Sequence, residues 1–118
     1  MHKVELYETV GGKCSVKDLL NDLPDKLAAK VICDIDLLQQ FGLELGAPYI
    51  KSLHGSEMPK LFELRTKLAS NIVRVLFFTL VGSHYVLLSG FVKKTDETPV
   101  NELHRARRFL NDYLRRYS

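Results

Sequence analysis

The sequence predicts an α+β domain, and three observations carry that prediction. Three runs of strand character, LFELRTK (61–67), IVRVLFFTL (72–80) and HYVLLSGFVK (84–93), follow one another. The joins between them, LASN and VGSH, are short enough only for hairpins. One segment before these runs and one after them repeat apolar residues at helical spacing, and a capping-box-like start marks a further short helix before them. Strands grouped together, with helices before and after, belong to a sheet that carries helices on it.

Residues 2–10 (HKVELYETV) set Val4 and Leu6 against Lys3, Glu5 and Tyr7, the alternation of an edge or half-buried strand, and Gly11-Gly12 ends it. Ser15 with Asp18 gives a capping-box-like start to a short helix over VKDLLND, Asp standing where Glu or Gln is usual. Pro24 suits the first turn of a second helix. Its stripe is Leu27, Val31, Ile35 and Leu38, and Gly42 is its natural C-cap. Residues 43–60 hold several breakers and no period, and read as an irregular connection. After the three strands, Thr98 as N-cap and Pro99 at the first helical position open a final helix with the stripe Leu103, Ala106, Leu110 and Leu114. Tyr113 and Tyr117 read as packing residues of that helix. The expected whole is one domain over residues 1–118: N-terminal strand, helical hairpin, three-stranded antiparallel meander and C-terminal helix.

Hydrophobic residues make up 46% of the 118 and charged residues 26%, ordinary values for a soluble globular domain. No apolar run approaches the roughly 18 residues that span a bilayer, and MHKVELYE lacks the apolar core of a signal peptide. With no leader and two cysteines, Cys14 and Cys33, the expectation is a cytoplasmic protein with reduced thiols and no membrane partner. The cysteines have no metal-ligand spacing, so neither a metal nor a cofactor is expected.

Charge is unevenly spread. Residues 1–59 sum to −3 and residues 60–118 to +6, and every arginine lies after residue 60. Guanidinium groups suit planar, two-pronged recognition of phosphate, so the asymmetry suggests a basic face for a polyanion.

Hairpin register sorts these cations. A turn about Ala69-Ser70 puts Arg65 opposite Arg74, and a turn about Gly82-Ser83 pairs Arg74 with Phe91, two positions before Lys93 on the same face. One end of one face then holds Arg65, Lys67, Arg74 and Lys93 with Glu63 nearby, and the other end Leu76, Phe78, Tyr85 and Leu87. Alternation turns Lys94 the other way. Like charges directly opposite cost about 0.2–1 kcal/mol, and a fold keeps them more readily when an anion or acidic partner sits between them. The plainer alternative is strand-end lysines and an arginine covering core. Arg105, Arg108, Arg115 and Arg116 on the final helix are either a solvated face or phosphate contacts.

The motifs in this half form an ordered set: Glu63-Leu64-Arg65, Arg74-Val75-Leu76-Phe77, Gly90-Phe91-Val92-Lys93-Lys94-Thr95, and Thr98-Pro99-Val100-Asn101-Glu102 with Ala106 and Arg108 beyond. Leu53-His54-Gly55 precedes them. The set resembles the toxins of the RelE/ParE superfamily, in the HigB-like, phage-derived branch, and the likeness covers most of the chain. It implies a RelE-like fold and a ribosome-dependent, metal-independent mRNA endonuclease of a type II toxin–antitoxin system. A ribose 2′-hydroxyl attacks the adjacent phosphate, leaving a 2′,3′-cyclic phosphate and a 5′-hydroxyl. The implied partners are the ribosome, mRNA and a cognate antitoxin, often of helix-turn-helix type. Arg74 and Arg65 are then candidates to hold the nonbridging oxygens, with Lys67 beside them. Lys93 or Lys94 is a candidate for proton transfer, Glu63 is a weaker candidate for the base with orienting Arg65 as its alternative role, and His54 and His104 have suitable chemistry. Arg105 and Arg108 are candidate substrate contacts. The tyrosine or histidine that some relatives carry near the C-terminus has no clear counterpart, which leaves the acid and base open. Two other readings stand beside this one: a ParE-like gyrase poison, and a small nucleic-acid-binding module without catalysis.

Overall fold

The computed structural model describes residues 2–53, 55, 57–80, 83–93 and 98–117. Three strands do follow one another as hairpins: β3 (Phe62–Leu68), β4 (Asn71–Leu80) and β5 (His84–Lys93). They form the centre of a larger, mixed sheet rather than a three-stranded one. A first strand, β1 (Lys3–Leu6), lies parallel to β5, and β2 (Ile50–Ser52) lies antiparallel to β3, so the order is β1-β5-β4-β3-β2. β2 falls in the segment read as irregular. Three residues are too few to show a period, and this strand is specified by its pairing of Ile50 with Leu64 and Ser52 with Phe62.

Helices cover both faces of the sheet. The hairpin of α1 (Ser15–Asp22) and α2 (Asp25–Phe41) buries Val16, Leu27, Val31 and Leu38 against Leu64, Val73, Val75, Phe77 and Leu87. On the other face, α3 (Val100–Tyr117) buries Ala106, Leu110 and Tyr113 against Leu61, Leu76, Phe78, Val86 and Leu88. Tyr113 is core, as expected. Tyr117, read as a packing residue, is exposed although its ring lies 4.6 Å from that of Tyr113. Among the described residues no helix is long and apolar enough to cross a membrane.

Register follows expectation in one hairpin and half of the other. Leu68 pairs with Asn71 across Ala69-Ser70, which sets Arg65 opposite Arg74. Between β4 and β5 the pairing runs from Leu80↔His84 to Phe77↔Leu87, then resumes at Leu76↔Ser89. That bulge adds one residue to β5 and changes the parity of everything before it. Tyr85 and Leu87 therefore face α1 and α2, and Val86 and Leu88 take the expected places beside Leu76 and Phe78. Beyond the bulge, Arg74 pairs with Phe91 and Ile72 with Lys93, as the Gly82-Ser83 turn had implied.

Two expected caps do not form. The Ser15 hydroxyl makes no cap bond to α1, whose N-cap is Cys14; it accepts instead from the Gly90 N–H (3.4 Å) and the Arg105 guanidinium (2.9 Å). The Thr98 hydroxyl donates to Glu63 (2.7 Å), and the carbonyl that receives the first N–H groups of α3 belongs to Pro99. Long-range partners outbid the local backbone in both cases. Gly42 does close α2, at φ 60°.

The tight β3–β4 turn has a testable weakness. Ala69 has φ 55°, a region L-residues avoid and glycine does not. Ala69→Gly is expected to raise unfolding free energy by about 0.5–1 kcal/mol, read as a higher urea midpoint at unchanged m-value.

Candidate functional site

Pleating sends Glu63, Arg65 and Lys67 of β3, Arg74 of β4, and Phe91 and Lys93 of β5 to the α3 face. Five of the expected site residues thus gather at one end of one sheet face. Lys94 and His54 lie outside the described residues.

Within the group, depth differs sharply. Arg74 (3% exposed) forms an ion pair with Glu63 (0%) in the diagonal position on the next strand. Glu63, on sequence a weaker candidate base or a group orienting Arg65, engages Arg74 and receives the Thr98 hydroxyl. A carboxylate removed from water in this way requires partners for both oxygens. The consequence is mechanical, because Thr98 leads into α3 and the contact ties the start of that helix to the sheet. Lys93 is also buried, at 8%. Arg65 is half-buried and Lys67 exposed, so these two present charge outward.

The reason is the sheet edge. β2 pairs with β3 only as far as Leu64, and one further bond joins the Arg65 N–H to the Tyr49 carbonyl (2.7 Å). Past that point β3 is an edge strand, and a groove of about 240 Å³ opens there between Lys30, Asp34, Tyr49, Arg65, Lys67 and Ile72. Asp34 (1% exposed) is a buried carboxylate that sequence reasoning passed over. Its oxygens accept from Lys30 Nζ and the Thr66 hydroxyl, each at 2.8 Å. The bond to Asp34 pushes the Lys30 pKa up, against the opposing pull of desolvation, and keeps that amine charged. One signal was available: Asp34 interrupts the apolar stripe of α2 and stands four residues after a lysine.

The other candidates lie elsewhere. The Arg105 guanidinium donates to Ser15 Oγ and to the Gly90 carbonyl (3.3 Å), joining α3 to α1 and β5. Arg108 is exposed on the outer side of α3. His104 is exposed and lines a separate cleft of about 350 Å³ with Leu53, Lys60, Leu61, Leu103 and Arg107.

A second polar set docks the other end of α3. Tyr7 donates to Asp112 (2.5 Å), Tyr113 donates to Glu5 (2.8 Å), and His84 shares that same Glu5 oxygen at 2.8 Å. Burial, then the bond to Asp112, pushes the Tyr7 hydroxyl up to about 12, and burial with the Glu5 bond raises Tyr113 further. Both hydroxyls hold their protons throughout the neutral range. These are positioning groups that lock the helix whose other end meets Glu63.

What the arrangement offers chemically is fixed positive charge at a sheet edge, braced from beneath by a buried ion pair. Residues 18–111 match the model of a protein family described as phage derived protein Gp49-like (DUF891). No curated protein matches the chain.

Proposed function

The chain belongs to the Gp49-like family of phage-derived proteins, and from that premise we propose that it is the toxin of a type II toxin–antitoxin pair. In this reading it is a ribosome-dependent mRNA endonuclease of the HigB-like branch of the RelE/ParE superfamily, silenced by a cognate antitoxin. One observation carries the reading: Arg65 and Arg74 stand directly opposite each other on one face, with Lys67 and Lys93 beside them and a single carboxylate, Glu63, among these strand positions. Opposed like charges cost about 0.2–1 kcal/mol, and a bound phosphate reverses the sign of that term.

The roles follow from depth. Arg65 and Lys67 reach the open edge and take the nonbridging oxygens of the scissile phosphate. Arg74, held by Glu63, keeps the face rigid under them. The 2′-oxygen bonds to phosphorus as the bond to the 5′-oxygen breaks. A proton leaves the 2′-hydroxyl and one is delivered to the 5′-oxygen. Lys93, the β5 cation of this cluster, is the candidate for that delivery.

The test is induction in growing cells with mapping of mRNA 5′ ends. Wild type is expected to cut within translated codons. The pair Arg65→Ala/Lys67→Ala is expected to cut about 100-fold less or weaker still with its melting temperature retained, because both side chains lie at the edge. Intact mRNA with double-strand DNA breaks would replace this reading with gyrase poisoning. Unaffected growth and intact nucleic acids would leave a binding module.

A further inference from the structure

We infer that the groove beside Arg65 is a nucleotide subsite, taking one residue of single-stranded RNA with its base against Tyr49 and its phosphate among Lys30, Arg65 and Lys67. The inference rests on RNA being the substrate. Four features of the groove carry it.

First, the groove has an aromatic wall next to cations. Tyr49 is half-buried at the sheet edge, packed against the core on the α2 side, and Lys30 Nζ lies over its ring at 5.9 Å from the centroid. Proteins that hold single strands combine a positive track for the backbone with aromatic faces for the bases. Second, the charge balance favours an anion. Lys30 neutralises the one carboxylate, Asp34, whose other oxygen Thr66 engages, so Arg65 and Lys67 leave the groove net positive.

Third, Arg65 belongs to both places. It stands opposite Arg74 in the strand pair and also lines the groove, and among the described residues its buried Nε–H has no acceptor. The phosphate of a nucleotide lodged there is therefore the one that Arg65 and Lys67 hold for cleavage. Fourth, the size suits part of a longer ligand. The groove's 240 Å³ falls below the roughly 300–1,000 Å³ typical of pockets that enclose a whole small molecule.

The experiment is fluorescence anisotropy with a labelled single-stranded RNA, scanned position by position with abasic residues. On wild-type protein, one abasic position is expected to weaken binding about tenfold, in the range stacking on a protein aromatic contributes. Tyr49→Phe should bind as wild type, and Tyr49→Leu about tenfold more weakly while losing the sensitivity at that position. Lys67→Glu, at an exposed site, should weaken binding and lower the salt slope by about one. Abasic residues without effect at any position overturn the subsite, as does Tyr49→Leu with wild-type affinity. Polyglutamate competing as well as RNA does the same. If Arg65→Ala loses RNA cleavage while the Tyr49 variants and abasic scan are silent, the subsite falls and the endonuclease stands. If wild type neither binds nor cuts RNA, both fall.

Discussion

Glu63→Gln is expected to lower the unfolding free energy by about 3–5 kcal/mol, the cost of taking one member from a buried ion pair. The substitution keeps the side chain's volume and an oxygen able to receive the Thr98 hydroxyl, so it isolates the charge. What it removes is the carboxylate beside Arg74, a guanidinium only 3% exposed, whose partner is itself fully buried. Arg74→Met should cost a comparable amount. The double variant should cost clearly less than the two singles summed, because groups in direct contact are coupled. Urea unfolding of the four proteins measures this. A Glu63→Gln cost below about 1 kcal/mol would place the pair with ordinary surface bridges and remove the argument that it braces the basic face. So would strict additivity.

Gly42→Ala should cost about 2–4 kcal/mol, from backbone strain and the damage to a hydrogen-bonded junction. Gly42 ends α2 at φ 60° and ψ −146°, a combination nearly confined to glycine. A methyl group there would fall on the Tyr85 hydroxyl and within 2.6 Å of His2 Nε2. Those two side chains form one unit: their rings stack with centroids 5.1 Å apart, and the hydroxyl receives the Leu43 N–H at 3.1 Å. Shifting them loosens the join between α2 and the β1–β5 edge. Gly12→Ala is the control, since φ is 87° but nothing lies within 4 Å of the added carbon. It should show the strain alone, about 1–2 kcal/mol. Equal melting temperatures for the two variants would mean that the Tyr85–His2 contact is soft.

Much of the candidate site was legible because a two-residue turn fixes parity. Once Leu68 and Asn71 close the hairpin, Arg65 has to face Arg74, whatever else the chain does. The α+β class and the stripes of α2 and α3 were legible for a similar reason: each is a local period repeated several times. The bulge in β5 was not. YVLLSGFV is apolar at nearly every position and buried on both faces, so one extra residue leaves no break in any alternation. The Lys93 end kept its expected register because it lies on the far side of that bulge.

What the sequence determined alone was which residues are charged, which turns are tight, and so which cations share a strand face. Tertiary structure decided their depth. Arg65 and Arg74 are the same residue type in paired positions, yet one reaches an open edge and the other is enclosed. The difference comes from where β2 stops pairing and where Thr98 meets Glu63, 35 residues away. The same holds for Asp34 with Thr66, and for Tyr7 with Asp112, 105 residues distant. A carboxylate stays buried only when donors arrive to meet it, and here those donors come from elements far along the chain. No local pattern records that meeting.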